Sequence, residues 1–303
     1  SDRAQDVLSI KDRTKVRHVI CGNWGDYLPP EPDAGVPKDV SGAPAIPGGV
    51  DVSWMDVVGR RHPPPTVEVG VGDPAMLIYT SGTTGVPKGV VHTHRSMWPT
   101  IFGSIAWGNR VSSEVTLSTI AVFHVTGMVH NLYAAHELGA TVVLMARWDA
   151  RAAAEMFSKY GPSFWCNIPT VVTDLLNLPD LERYDLSSLK GCGGGGAAMP
   201  VAMAERLKGL TGVDYTEGYG LTEAAPVVAC NTPTAHRVGS VGRPVPGVAV
   251  RIAPDGEVLV QGPNVTPGYY RAPEATRAAF EDGWLRTGDL GHFDEDGFLF
   301  IDG

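Results

Sequence analysis

Between residues 71 and 234 the chain alternates short apolar runs with stretches of helical periodicity. Strands are predicted over AMLIYT (75–80), EVTLSTI (114–120), TVVLM (141–145) and SFWCNI (163–168), near Leu189, and over VDYTEG (213–218). Helices are predicted between them: from about His94, over GMVHNLYAAHEL (127–138), over ARAAAEMFSKY (150–160), from Thr170, and over VAMAERLKGL (201–210). Such alternation implies right-handed βαβ crossovers and an α/β fold whose mostly parallel sheet is layered with helices. From about residue 235 the texture changes to short strands and turns, VAVRIA, PDG, EVLVQG, GWLRTGDLG, DEDG and FLFI, which predict a small β-rich, barrel-like subdomain. Upstream, residues 2–15 read as a helix and RHVIC (17–21) as a strand, while 28–65 is dense in Pro and Gly and reads as a long irregular connection. The expected organisation is a partial N-terminal segment over 1–70, an α/β core over 71–234 and a β-rich subdomain over 235–303.

Composition narrows the chemistry. The 303 residues are 43% hydrophobic, enough for a large core. With 24 Lys and Arg against 33 Asp and Glu, a formal charge of -9 argues against a broad nucleic-acid surface, so the cations that matter should be few and placed. Cys21, Cys166, Cys192 and Cys230 are scattered without a CxxC pair, which fits reduced thiols of a cytoplasmic protein better than a disulfide frame or a zinc site. The longest apolar region is broken by Gly, Asn, Glu and His, so no integral membrane segment is expected, and no signal peptide is visible. The chain begins with Ser and stops at FLFIDG, and both ends read as cut. Oligomeric state is not legible.

The run YTSGTTGVPKG (79–89) concentrates glycines, hydroxyls and one lysine directly after an apolar strand, where α/β proteins place ligands. A Walker loop does not fit. With Gly82 as its first glycine, Pro87 falls where the second belongs and Gly89 where the metal-binding hydroxyl belongs. Pro87 also removes an amide that such a loop would aim at phosphate.

The stretch resembles the phosphate loop of the adenylate-forming enzymes, the superfamily of acyl-CoA synthetases, firefly luciferase and peptide-synthetase adenylation domains. Further stretches follow in that superfamily's order: FHVTG (123–127), GGAAMP (195–200), GYGLTE (218–223), GSVGRPVPG (239–247) and GWLRTGDLG (283–291). The resemblance implies ATP, Mg²⁺ and CoA as cofactor and co-substrates. It implies that Thr80, Ser81, Gly82, Thr83, Thr84, Gly85 and Lys88 hold the phosphates that leave as pyrophosphate. Gly218, Tyr219 and Gly220 would frame the adenine, with Tyr219 stacked on it. Thr222 would reach the α-phosphate, Glu223 would hold the metal, and Asp289 would bind the ribose. Gly195, Gly196 and Ala197 would line the adenine and acyl pockets, where absent side chains make room. His124, with Val125, Gly127 and Met128, would sit where the acyl pocket meets the thiol channel, gating or orienting substrate. Lys88, Thr222, Glu223 and His124 form the implied catalytic set. Taken singly, Lys88 also reads as a surface lysine, Tyr219 as a core tyrosine and Asp289 as a turn-former. His92 and His94 read as structural residues at a helix start.

FHVTGMVH, WCNIPT and GGGGAAMP look most like bacterial medium- or long-chain fatty-acyl-CoA synthetases. No carboxylate falls near this pocket to hold an amino-acid substrate's ammonium, so an apolar pocket is expected. The resemblance also implies a truncated large domain lacking the lysine-bearing C-terminal domain that follows it. The expected partners are a fatty acid and CoA. Another carboxylic acid, aryl or short-chain, and a non-catalytic ATP- or acyl-binding remnant are the alternatives.

Overall fold

Residues 1–68 and 69–303 form two separate compact units. The structure, a computed structural model, describes residues 3–303 apart from 29, 31–35, 37–45, 47 and 81–85. In the first unit the helix expected over 2–15 is shorter, Ala4–Ile10 followed by a 3-10 turn, Lys11–Arg13. RHVIC contributes only β1 (Ile20–Cys21), which pairs in parallel with β2 (Val52–Ser53). The stretch expected to be irregular carries β2 and a helix, Trp54–Gly59, whose first turn is capped by the Ser53 hydroxyl accepting from Asp56 N–H at 3.1 Å. Asp51 ties this unit together, accepting from Lys11 Nζ at 2.8 Å and from Val19 N–H at 2.6 Å, and its carboxyl lies below the ordinary range chiefly because of Lys11.

In the second unit the expected α/β alternation holds for most of its length. The strand over AMLIYT is present as β3 (Pro74–Thr80), but it does not open the parallel sheet. It pairs antiparallel with β4 (Lys88–Thr93), from Tyr79 opposite Gly89 to Pro74 opposite Thr93. The main sheet runs instead through β5 (Val115–Ser118), β6 (Thr141–Leu144), β7 (Phe164–Asn167), β8 (Gly191–Gly194) and β9 (Tyr215–Gly220). These five are mutually parallel in the order β6, β5, β7, β8, β9, and β10 (Val227–Cys230) and β11 (Arg243–Pro244) extend the sheet antiparallel beyond β9.

The crossovers follow local chemistry. Helix Ala150–Tyr160 starts where Asp149 accepts from Ala152 N–H at 2.8 Å and ends on left-handed Gly161; it buries Ala152, Ala153, Ala154 and Phe157. Phe157 meets Trp165 of β7 edge-on at 5.5 Å within a core that includes Leu117, Leu175, Leu176, Leu189 and Leu207. The segment expected to be one α-helix over 127–138 is instead π-helical over Gly127–Tyr133 and α-helical only over Ala134–Leu138. Cys166 and Cys192 are buried and free, with thiols pushed up to about 12 by burial.

Beneath the π-helical turn lies a buried ion pair. Arg110 Nη2 donates to Glu114 Oε1 at 2.7 Å, and Arg110 Nη1 donates to the carbonyl of His130 at 2.7 Å and to Ser104 Oγ at 3.1 Å. Ser104 Oγ and His130 Nδ1 are 2.8 Å apart, and burial, joined by the positive charge of Arg110, pushes the imidazole down to about 3. His130 is thus neutral in the folded chain across a window, from its ordinary 6.5 to about 3, in which the unfolded chain binds the proton. Its folded value is depressed, so its contribution to stability is complete above 6.5 and is lost as pH falls. Urea titrations at a series of pH values should show a fall approaching about 1.4 kcal/mol per pH unit from this one group, and His130→Gln should flatten that slope.

The C-terminal segment adds β12 (Ala249–Ile252), β13 (Glu257–Gln261), β15 (Phe280–Glu281), β16 (Trp284–Phe293) and β17 (Leu299–Ile301), paired antiparallel, with a helix, Pro273–Ala279, that the sequence pattern did not reveal. Between β13 and β15, β14 (Gly268–Tyr269) leaves this sheet and pairs antiparallel with β4, Gly268 opposite Val91 and Tyr269 opposite Val90. A late two-residue strand is thereby joined to the hairpin that carries Lys88.

Candidate functional site

Lys88 is the first residue of β4, opposite Thr80 at the end of β3. Ser81, Gly82, Thr83, Thr84 and Gly85, in the connection between them, lie outside the described residues. The Lys88 ammonium stands 5.2 Å from the centre of the Tyr269 ring, a distance at which the negative face of an aromatic ring attracts a cation. The Tyr269 hydroxyl in turn donates to Glu223 Oε1 at 2.9 Å. Burial first, and the neighbouring Glu223 charge second, push the Tyr269 phenol well above its ordinary value, so it stays a neutral donor.

Thr222 and Glu223 occupy a 3-10 turn, Thr222–Ala224, directly after β9. Two backbone contacts fix this turn. The Glu223 carbonyl accepts from Thr266 N–H at 2.8 Å, and the Thr222 carbonyl accepts from His92 Nε2 at 2.7 Å. His92 is fully buried within β4 rather than at the start of a helix, which begins at His94. Burial lowers its affinity for a proton, against the pull of the Thr222 carbonyl and the Glu223 charge. The proton of the neutral ring therefore sits on Nε2, and Nδ1, 3.0 Å from Ser96 Oγ, accepts.

A second pair lies at the end of β9. Tyr219 donates its hydroxyl to Asp289 Oδ2 of β16 at 2.5 Å, so the two residues matched to the adenine and ribose positions are joined directly. Burial is the main cause raising the Tyr219 phenol, with Asp289 adding to it.

The glycines of GGGGAAMP and GYGLTE divide into two kinds. A Cβ on Gly194 would stand 1.8 Å from the Asn167 carbonyl oxygen, and one on Gly195 would stand 2.2 Å from that of Gly218. These two are small because neighbouring backbones lie against them, and their closeness draws the Gly195 turn to Gly218. Gly220 is likewise filled, with the Pro226 carbonyl oxygen 1.9 Å from its notional Cβ. Gly196, with φ +84° and open space beside it, and exposed Ala197 and Ala198 face free volume.

The FHVTG stretch is split by burial. His124 is exposed and its Nδ1 accepts from Thr126 N–H at 3.2 Å, and Met128 is half-buried. Val125, at 1% exposure, belongs to a core cluster with Ile78, Met97, Ile101 and Val129. Gly127 is buried with a notional Cβ only 2.5 Å from the Ala121 carbonyl oxygen. The structure thus gathers Lys88, Thr222 and Glu223 around Tyr269 and His92, and Gly218 and Tyr219 beside Gly195 and Asp289, while the hydrogen bond that the His124 ring makes among the described residues is local, to Thr126 N–H.

Among the described residues no group of three or more His, Cys, Asp or Glu is gathered to hold a metal ion. Glu223 keeps Oε2 without a hydrogen-bond partner among the described residues. One open carboxylate oxygen suits Mg²⁺, which commonly takes one or two protein carboxylates and completes its shell with phosphate oxygens and water. The described residues also include no helix long and apolar enough to cross a membrane.

Comparisons with known proteins give the family. The family described as AMP-binding enzyme matches residues 2–270. The chain is 37% identical over 243 residues to a long-chain-fatty-acid-CoA ligase of Bacillus subtilis, covering 76% of this chain and 43% of that protein. It is 35% identical over 285 residues to a sulfoacetate-CoA ligase of Cupriavidus necator, covering 88% of this chain and 52% of that one. The crystal structure of the anthranilate-CoA ligase AuaEII with anthranoyl-AMP superposes with a TM-score of 0.82 at 26% identity, over 99% of this chain and 57% of the other. The chain belongs to the AMP-binding enzyme family, within the adenylate-forming superfamily. It spans about half the length of the curated relatives it matches.

Proposed function

We propose that the chain is the nucleotide- and acyl-binding core of an AMP-forming acid-CoA ligase whose acid is a medium- or long-chain fatty acid. In the first half-reaction a carboxylate oxygen attacks the α-phosphorus of ATP, the bond to the oxygen bridging the α- and β-phosphates breaks, and acyl-AMP and pyrophosphate form. In the second, the CoA thiol attacks the acyl carbonyl and AMP leaves. Both steps bring anions together, so the protein contributes by positioning and neutralising charge.

Lys88 and the hydroxyls of Ser81, Thr83 and Thr84 hold the departing phosphates in this reading. Thr222 reaches the α-phosphate, Asp289 accepts from the ribose hydroxyls and Tyr219 stacks on the base. Glu223 would be the protein ligand of Mg²⁺, which would supply positive charge to offset that of the phosphates. His124 orients the acid at the mouth of its pocket. The core over 71–234 supplies most of these groups and the β-rich segment over 235–303 supplies Asp289.

The observation that carries the reading is the contact chain from Lys88 through Tyr269 to Glu223, beside the Tyr219 and Asp289 pair. It brings a cation and a carboxylate to one tyrosine, and joins a tyrosine at the end of β9 to a carboxylate of β16. The names of relatives support the CoA ligase class, and the long-chain name belongs to the 37% identical relative. A second reading, activation of a different carboxylic acid, is favoured by the sulfoacetate and anthranilate names of other relatives.

Non-hydrolysable acyl-sulfamoyl adenosines separate the two readings without requiring turnover. The decanoyl and palmitoyl compounds should bind at least tenfold more tightly than the anthraniloyl, 4-coumaroyl or sulfoacetyl compounds. Tighter binding of one of the latter three would reassign the acid.

A further inference from the structure

We infer that Tyr269 is a positioning residue of this site, holding Glu223 ready for a divalent cation and Lys88 ready for phosphate. The inference rests on the reading of Glu223 and Lys88 proposed above and adds a residue that the motifs do not include. One side chain touches both groups: its hydroxyl donates to Glu223 Oε1 at 2.9 Å, and its ring faces the Lys88 ammonium at 5.2 Å.

The chemistry of the contact suits a metal ligand. A lysine or arginine at this place would also hold the carboxylate, but it would cancel the charge that a cation needs. A neutral phenol fixes the carboxylate's rotation through one oxygen, leaves the full negative charge in place, and leaves Oε2 without a partner among the described residues.

The segment around Tyr269 is built to keep that phenol still. Tyr269 N–H donates to Thr276 Oγ1 at 2.9 Å, Gly268 N–H donates to Thr266 Oγ1 at 3.0 Å, and Tyr270 N–H donates to the Gly89 carbonyl at 2.7 Å. Thr266 Oγ1 also donates to the Val91 carbonyl at 2.5 Å, fastening the segment to β4. Gly268 has φ +144° and lies so close to Thr276 that a Cβ would stand 2.5 Å from its methyl group, so this approach requires glycine. Tyr269 is thus held on the same strand pair that carries Lys88, while its hydroxyl reaches the turn carrying Glu223.

Tyr269→Phe tests the inference, because it keeps the ring and the strand pairing and removes only the hydroxyl. ATP binding to the 303-residue chain would be followed by calorimetry as Mg²⁺ is titrated. The Mg²⁺ concentration for half-maximal effect should rise about tenfold, the lower end of what loss of a partner to a metal ligand costs. ATP binding without metal and the melting temperature should change little. In a Glu223→Gln background the same substitution should no longer move the Mg²⁺ dependence, a result that a merely structural tyrosine would not give. An unchanged Mg²⁺ dependence in folded Y269F, with the unmodified chain binding Mg-ATP, overturns the role of Tyr269 alone. Failure of the unmodified chain to bind Mg-ATP overturns the functional reading and this inference with it.

Discussion

Replacing Arg110 with alanine is expected to lower the unfolding free energy by about 3–5 kcal/mol, the usual cost of stranding one member of a buried ion pair. Arg110 and Glu114 have side chains 0% and 5% exposed, and the guanidinium also serves Ser104, Thr116 and the His130 carbonyl, with the Phe164 ring 3.9 Å from its central carbon. Removing it leaves the Glu114 carboxylate with only the Thr116 hydroxyl, at 2.6 Å, among these partners. The stranded carboxylate would destabilise the folded state, or the neighbourhood would open to water. Urea unfolding followed by circular dichroism measures the loss. Glu114→Gln introduced together with Arg110→Met should recover part of it by removing the stranded charge, and no recovery would locate the damage in the His130 turn instead.

Lys88→Ala should weaken Mg-ATP binding by roughly 10- to 100-fold, the range that follows from losing a hydrogen bond to a charged group worth about 1.5–3 kcal/mol. Glu223→Gln should weaken it by a similar factor, but only when Mg²⁺ is present. The contrast matters because both residues touch Tyr269, and a general loosening of the site would make both effects independent of metal. Calorimetric titration of ATP with and without Mg²⁺ separates them. Unchanged affinity in both variants would remove Lys88 and Glu223 from the site.

The parallel strands and their helices were legible because periodicity is a local property: EVTLSTI, TVVLM and SFWCNI each contain the strand later found, and VDYTEG overlaps β9, which runs on to Gly220. AMLIYT was equally legible as a strand but not as a hairpin arm. A short apolar run looks the same in a parallel core and in an antiparallel pair, and KGVVHT was hidden between Pro87 and the helix start at His94. The partner of that hairpin, Gly268–Tyr269, is two residues long and distant in sequence, so no window of the chain could reveal it.

The same limit explains what was missed in the site. Lys88, Tyr219, Thr222, Glu223 and Asp289 enter the proposed site through motifs. His92 and Tyr269 were not, since their importance lies in contacts with Thr222 and Glu223 across 130 and 46 residues of chain. The glycines of CGGGG show why composition misleads: nothing in the letters distinguishes Gly194, pressed against the Asn167 carbonyl, from Gly196, which faces open space.

The most direct test is a thermal melt of the 303-residue chain with and without Mg-ATP. A ligand held only by the folded form adds about 2.7 kcal/mol of stability at a hundredfold excess over its dissociation constant. The account predicts one cooperative transition from residues 69–303 that moves upward with Mg-ATP, and moves less with ATP alone. A cooperative transition that stays in place at millimolar Mg-ATP would contradict it.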